Sequence, residues 1–392
     1  GGYTINNAQP TAGSNYASFN EAITALSSGA ITGAVTFTVA PGSGPYSEKI
    51  SIAPVIGASS TNRVTFNCNG VTMAYNTTDL NNRTAIILNG ADFITIDSLN
   101  VDVSAGTYGW GIVLTGGADS NIIRKCTVLT NKIATTTNYM GIVLNGSATT
   151  TASSGNNANG NLIEKNTING GYYGIYMYGN STAAAYNTNN IIRNNTIQDF
   201  YFYGSYMIYH TNFTFSGNDI SRPTRTAVGA GYGVYCGASN NILVEKNKIH
   251  NLFDAVSAST TAAYPIYIAT SGISAAQPNR IENNLIYNIN SATGSIYGIY
   301  SLAYNYNNFY HNTIVLDNAS STAGITYGMY VYGTGVNVKN NIIHITRGGT
   351  GTKYCLYYGT TGVASSNNNV LYMNAPAGTI NAVGYQSATY TT

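Results

Sequence analysis

Few residues in this chain could do chemistry, and their spacing narrows what that chemistry is. Only 8% of the 392 residues are charged, 16 Lys and Arg against 14 Asp and Glu, where an ordinary domain carries about a quarter. Glycoside hydrolysis takes two facing carboxylates, but the acidic residues are scattered and include no Asp-Asp pair. His210, His250, His311 and His344 stand singly, and His250 and His344 fall at the same repeat position, so surface imidazoles are expected. Cys68, Cys126, Cys236 and Cys355 lie far apart without metal-type spacing, so no metal or other cofactor is expected. Arg222 and Arg225, in "SRPTRTAVGAG", form the one basic cluster and read as a solvated loop. What the chain has in quantity is tyrosine, 34 in all, beside 43 glycines. A phenol ring offers a π-face with a hydroxyl at its rim, which suits stacking on sugars or on other rings rather than acid–base work.

The tyrosines need elements to position them, and internal repeats supply these. The phrase "YGIYMYG" at 173–179 returns in close variants. About thirteen residues after most copies comes a second phrase: "NLIEKNTI", "NIIRNNTI", "LVEKNKI", "NRIENNLI", "NNFYHNTI", "NVKNNII". It places an asparagine column at Asn166, Asn195, Asn218, Asn247, Asn284, Asn312 and Asn341, with Asn69, Leu99, Cys126 and Asn369 in the same register. Short β-branched strands bounded by Gly and Asn, repeated about every 28 residues with almost no helix signal between them, indicate an all-β, single-stranded parallel β-helix, a solenoid of about 11–13 coils. Coils then stack at about 4.8 Å, and the asparagines at the bend become a ladder of amides that donate and accept between rungs. Two residues earlier, Arg124, Glu164 and Arg193 alternate in sign, as a surface ion-pair row would. "SFNEAITALSSG" predicts a short helix over 18–28 covering the open sheet edge: Ser18 and Glu21 as a capping box, Ala22, Ile23, Ala25 and Leu26 as the apolar face, Gly29 as the stop. Residues 1–60 are thus expected to form a cap with the first coils and 61–392 the repeats, with insertions near 146–160, 221–231 and 251–278. The opening Gly1-Gly2-Tyr3, with neither Met nor a signal peptide, suggests a processed or excerpted form.

The helix followed by "AVTFTVAPGSGPYSEKISI" resembles the start of the pectin-lyase-like, right-handed parallel β-helix superfamily. Its wording is most similar to large secreted surface and adhesin-type proteins of Bacteroidetes-type bacteria. That resemblance implies an extracellular or cell-surface location, and a fold that carries lyases, hydrolases, esterases, tailspikes and adhesins alike. The clustered aspartates and Gly-His-Gly of its polygalacturonases are missing here, and the "YGIY" strands carry no Asp, Glu, Lys or Arg for a Ca²⁺-dependent lyase. Asp92 in "GADFITI" resembles the aspartate segment of pectin methylesterases, without that family's second aspartate or its glutamines.

Strand alternation aims one column outward: Ile87, Val113 and Val143, then Tyr176, Tyr206, Tyr235, Tyr267, Tyr300, Tyr330 and Tyr357. It aims a second outward too, Gly111, Gly141, Gly174, Gly204, Gly233, Pro265, Gly298, Gly328 and Cys355, which would leave a trough beside the rings. Cys126 and Cys236 would point inward several coils apart and Cys355 outward, so no disulfide should join them. The expected function is an extracellular, non-enzymatic adhesin or fibre-forming protein that presents the seven tyrosines to neutral polysaccharide or to another copy, without catalytic residues. The alternative is a polysaccharide lyase or glycoside hydrolase. A net charge of +2 gives no footprint for nucleic acid, and no apolar run approaches the ~18 residues of a membrane span.

Overall fold

The computed structural model describes residues 1–302 and 304–391, in two compact units, Gly1–Thr196 and Ile197–Thr392. Each unit is built from parallel β-helix coils whose strands fall into three sheets. In the first unit a representative coil runs from Tyr139–Leu144 in sheet 1, through Leu162–Glu164 in sheet 2, to Thr167–Asn169 in sheet 3. In the second, Gly231–Gly237, Leu243–Glu245 and Lys248–His250 take the same places. Among the described residues sheet 1 has five strands in the first unit and eight in the second, the last of them antiparallel.

The register explains why these sequences coil. Like stacks on like: Ile112 pairs with Ile142 and Ile142 with Ile175 in the first unit. In the second, Ile249 pairs with Ile286, then Ile314, then Ile343 in sheet 3. All are fully buried, and each such side chain withdrawn from water stabilises the fold by about 1.5–3 kcal/mol.

The bend from sheet 2 to sheet 3 is set by one left-handed residue directly before the ladder position, which is Cys126 in one coil and asparagine in those that follow. Lys125, Lys165 and Asn194 hold this position in the first unit and Lys246, Asn283, His311, Asn340 and Asn368 in the second, with φ of 53–58°, a region that Asn and His enter more readily than most residues. The turn aims the next side chain into the core, where Asn166, Asn195, Asn218, Asn247, Asn284, Asn312 and Asn341 are all buried. Asn247 shows the pattern. Its Oδ1 accepts the Asn218 backbone N–H and Nδ2, both at 3.0 Å, while its own Nδ2 donates to Phe215 O at 3.1 Å and Asn284 Oδ1 at 2.9 Å. Each amide thereby satisfies backbone groups that the bend would otherwise strand. Asn69 does not join this column: it is exposed, and its Nδ2 donates to Val39 O at 2.8 Å. The row outside the ladder pairs Arg124 with Asp97 at 2.7 Å and Arg193 with Glu164 at 2.8 Å.

One α-helix occurs among the described residues, α1 (Phe19–Leu26), which buries Phe19, Ala22, Ile23 and Leu26. Ser18 Oγ accepts the Glu21 N–H at 3.1 Å, but Glu21 reaches past Ser18 to the Ala17 N–H at 2.9 Å. The freed helix-end N–H groups of Phe19 and Asn20 donate instead to Glu48, at 3.1 and 2.9 Å. A carboxylate at that end also opposes the helix dipole favourably. No described helix is long and apolar enough to cross a membrane.

Candidate functional site

The tyrosine strands break strict alternation, and that break makes the site. In the second unit Tyr232 pairs with Tyr264, Val234 with Ile266 and Tyr235 with Tyr267, while Gly233 and Pro265 drop out of the register. The glycine column therefore faces inward, contrary to the alternation argument. A Cβ on Gly233 would lie 2.5 Å from Pro265 O and 2.7 Å from Ile249 Cγ2, and one on Gly298 would lie 2.6 Å from Gly328 O. With no side chain there, successive coils close up and the tyrosines on both flanks turn outward. No bare trough lies beside the rings. The space holds a second tyrosine column, Tyr203, Tyr232, Tyr264, Tyr297, Tyr327 and Tyr354.

The two columns interlock across the second unit. Along the outer column centroids stand 4.8 Å apart from Tyr206 to Tyr235, 5.1 Å to Tyr267, 4.9 Å to Tyr300, 5.0 Å to Tyr330, 4.9 Å to Tyr357 and 4.5 Å to Tyr385. Along the inner one they stand 4.8 Å from Tyr203 to Tyr232, 4.7 Å to Tyr264, 5.2 Å to Tyr297, 5.2 Å to Tyr327 and 5.8 Å to Tyr354. Rings of one coil meet edge to face, as Tyr264 and Tyr267 do at 5.6 Å and 68°. Such pairs contribute about 0.5–1.5 kcal/mol each beyond their buried area. The outer rings from Tyr206 to Tyr385 remain partly exposed. Burial, reinforced by neighbouring phenols, pushes the Tyr235, Tyr300 and Tyr327 hydroxyls up to about 12, and the face stays neutral. Lys353, which opens the repeated strand Lys353–Tyr358, corrects the expectation that these strands are free of charge. Its ammonium is buried and donates to Gly349 O, Gly351 O and Ala377 O. At the far rungs Tyr357 and Tyr385 line a hollow of about 340 Å³ together with Tyr358, Gly359, Thr360, Thr361 and Ser387.

In the first unit the corresponding face is closed. Val113 and Val143 are fully buried and Tyr176 is 3% exposed, against the expectation that all three face outward freely. The insertion after Leu144 lies over them. Tyr176 Oη accepts the Ala152 N–H at 2.9 Å, Thr84 Oγ1 donates to Ala148 O at 2.6 Å, and Asn145 Nδ2 donates to Ser147 O and Thr150 O at 2.7 Å.

The other candidates resolve as structure. Asp92 is a rung of a side-chain ladder: it accepts the Asp119 N–H at 2.7 Å, Asp119 accepts the Asn159 N–H at 2.7 Å, and Asn159 accepts the Thr188 N–H at 2.9 Å. Burial, with Asp92 adding to it, raises the Asp119 carboxyl. His250 is partly buried, its Nε2 donating to Asp219 Oδ1 at 2.9 Å and its ring stacked on Tyr287 at 4.8 Å. His344 stacks on Tyr372 at 4.7 Å, and His311 is exposed. His210 departs from the surface reading: it is fully buried beside Phe213. Arg222 and Arg225 are buried as well, not solvated. Arg222 donates to Leu252 O, Tyr201 O and Gly229 O at 2.9–3.1 Å, and Arg225 to Asp199 O at 2.9 Å, so the 221–231 loop is stapled from within. All four cysteines are free and buried. Cys355 faces inward rather than outward because it occupies the inward glycine position. Among the described residues no group of three or more His, Cys, Asp or Glu is placed to hold a metal ion.

Two features escaped the sequence reading although the letters carried them. One is the first tyrosine of Tyr-Gly-x-Tyr, hidden by the assumption of strict alternation. The other is a second amide ladder five residues before the first. Asn121 N–H donates to Asn161 Oδ1 at 2.8 Å and Asn161 N–H to Asn190 Oδ1 at 3.0 Å in the first unit. Asn279 Nδ2 donates to Asn307 Oδ1 at 2.9 Å in the second. Its signal is the leading N of "NLIEKN", "NIIRNN", "NRIENN" and "NNFYHN".

Comparison with known proteins returns the same architecture. The family described as "Right handed beta helix region" matches residues 141–343. Among solved structures, the native GH136 lacto-N-biosidase from Eubacterium ramulus aligns with a TM-score of 0.54 at 13% identity, over 97% of this chain and 68% of that one. Its selenomethionine derivative gives 0.51 at 11% identity, over 95% and 67%. The A-module of the mannuronan C-5 epimerase AlgE6 from Azotobacter vinelandii gives 0.37 at 14% identity, over 91% and 83%. No curated protein matches this chain.

Proposed function

The chain belongs to the right-handed β-helix family, and from that premise we propose that it is an extracellular, non-enzymatic adhesin-type module whose tyrosine face docks an uncharged polysaccharide. The observation that carries this reading is the pair of interlocked tyrosine columns, partly exposed over seven rungs from Tyr206 to Tyr385. Seven rungs at about 4.8 Å span about 30 Å, long enough for several sugar rings in a row. Each exposed phenol supplies a π-face for the C–H side of a sugar and a hydroxyl at the rim, and the neutral phenols give an acidic polymer nothing to pair with. Apolar surface of this extent on a folded protein usually meets a partner.

The alternative is a glycan-cleaving enzyme, the activity that the name of the lacto-N-biosidase carries. It would need two carboxylates aimed at a common point. Two acidic pairs lie on neighbouring rungs: Asp92 and Asp119 already accept backbone N–H groups of the coil corner, and Glu245 and Glu282, register partners on successive coils, are engaged by Lys246 and Arg280.

Changing Tyr235, Tyr267 and Tyr300 together to serine tests the reading. The serine variant should lose retention on insoluble neutral glucan or xylan, while the matching Phe variant, which keeps the stack, should retain most of it. Because the rings bury one another, both should be assayed well below their melting temperatures. A serine variant that is less stable yet still retained would make the columns scaffold alone. A wild-type oligomer that the serine change dissociates would place a second copy on the face.

A further inference from the structure

We infer that the interlocked tyrosines of the second unit form a relay that carries one-electron oxidising equivalents along the solenoid axis. Three observations carry it. First, the path is unbroken: every step along either column is 4.5–5.8 Å between ring centroids, so neighbouring π-systems are in contact throughout. Second, it is double. The columns are joined on each coil, for example Tyr297 to Tyr300 at 4.9 Å and Tyr327 to Tyr330 at 5.5 Å, so one faulty ring can be bypassed. Third, both columns are written in tyrosine. Phenylalanine would stack and bury as well, and Phe202 does so against Tyr232 at 5.3 Å. What the phenol adds to stacking is a hydroxyl hydrogen that can leave with an electron.

The step balances without an outside base. An outer-sphere one-electron oxidant takes an electron from a terminal tyrosine, whose hydroxyl proton goes to solvent at the partly exposed face, leaving a neutral phenoxyl radical. The next phenol then gives up one electron and one proton to that radical. The first ring is restored as phenol and the second becomes the radical, so each hop is a net hydrogen-atom exchange between chemically identical partners. A phenol is protonated and able to donate at neutral pH even at its ordinary value, and burial at Tyr235, Tyr300 and Tyr327 moves the hydroxyls further in that direction. The chain's single tryptophan, Trp110, lies in the first unit, and none interrupts the path as an alternative carrier.

A flash experiment on the full chain decides it. Ser387→Cys places an exposed thiol two residues from Tyr385, and the four native thiols are buried, so a maleimide-linked ruthenium polypyridyl attaches there. With persulfate as electron acceptor, a flash generates the oxidant beside the last rung. The amino acid 3-aminotyrosine, which oxidises more easily than tyrosine and has its own paramagnetic resonance signature, replaces Tyr206 as the trap, about 30 Å away. The relay predicts the aminotyrosyl signal in the otherwise native chain and in the single variant Tyr267→Phe. It predicts loss of that signal when Tyr264→Phe and Tyr267→Phe are combined, cutting both columns on one coil. The separate pair Tyr297→Phe and Tyr300→Phe should act in the same way, and unchanged circular dichroism shows that each folds. An undiminished signal in both paired variants, or a radical that never leaves Tyr385 in the native chain, overturns the proposal. Phenylalanine keeps the stacking surface, so failure here leaves the glycan reading standing, and the serine test above leaves the relay untouched.

Discussion

His210 shows how much one buried side chain can say about the medium in which the protein works. Its ring is fully buried and neither nitrogen has a hydrogen-bond partner. Desolvation alone pulls its pKa down from 6.5 to about 3. The unfolded chain takes up that proton below about pH 6.5, whereas the folded chain refuses it until about pH 3. The stabilising contribution is therefore complete above the unfolded value and is lost as pH falls toward the folded one, about 2–3 kcal/mol by roughly pH 4.5. His250 runs the other way: its hydrogen bond to Asp219 raises its pKa, so its contribution is present at low pH and lost as pH rises. Melting temperatures of wild type and His210→Leu at neutral and mildly acid pH separate the two. The variant should lose markedly less stability on acidification, and equal losses would mean that the imidazole is not held neutral.

The coil corner is the element that makes stacking specific. In Asn247→Ala the Asn218 N–H and the Phe215 carbonyl both lose a partner, and an orphaned buried amide costs about 1–3 kcal/mol. Asn156→Ala, in the exposed part of the insertion, should be close to silent in the same denaturant titration. Similar midpoints for the two variants would remove the ladder from the account. The corner was also the most legible element in the sequence, because Asn166, Asn195, Asn247 and their equivalents recur with the left-handed Lys, Asn or His directly before them. The sheet 1 strand was legible in existence but not in direction. Alternation assumes a regular pleat, and at Gly233 the pleat is interrupted by the close approach of Pro265 O, an interaction between coils some thirty residues apart in sequence. The same limit hid the burial of His210, Arg222 and Arg225. Their partners are phenyl rings or the carbonyls of Leu252, Tyr201 and Asp199, and no residue type announces a carbonyl.

At the scale of the molecule, a chain with 14 acidic residues out of 392 has used much of its ionic chemistry internally, in Asp97–Arg124, Glu164–Arg193, the Asp92–Asp119 rungs and the buried Arg222, Arg225 and Lys353. What it shows to solvent in repeated form is the tyrosine face of the second unit, and recognition by that face should be additive along its length. Weak contacts repeated every rung sum only for a ligand long enough to span them, and appear as avidity with extension. The direct measurement is calorimetric titration of the whole chain with neutral and uronic-acid oligosaccharides of increasing length, with reducing ends assayed in the same samples. The account predicts affinity that climbs with length in a neutral series until the ligand covers about 30 Å, little binding of the acidic series, and no new reducing ends. Length-independent or absent binding across the neutral series, or reducing ends that accumulate with time, would contradict it.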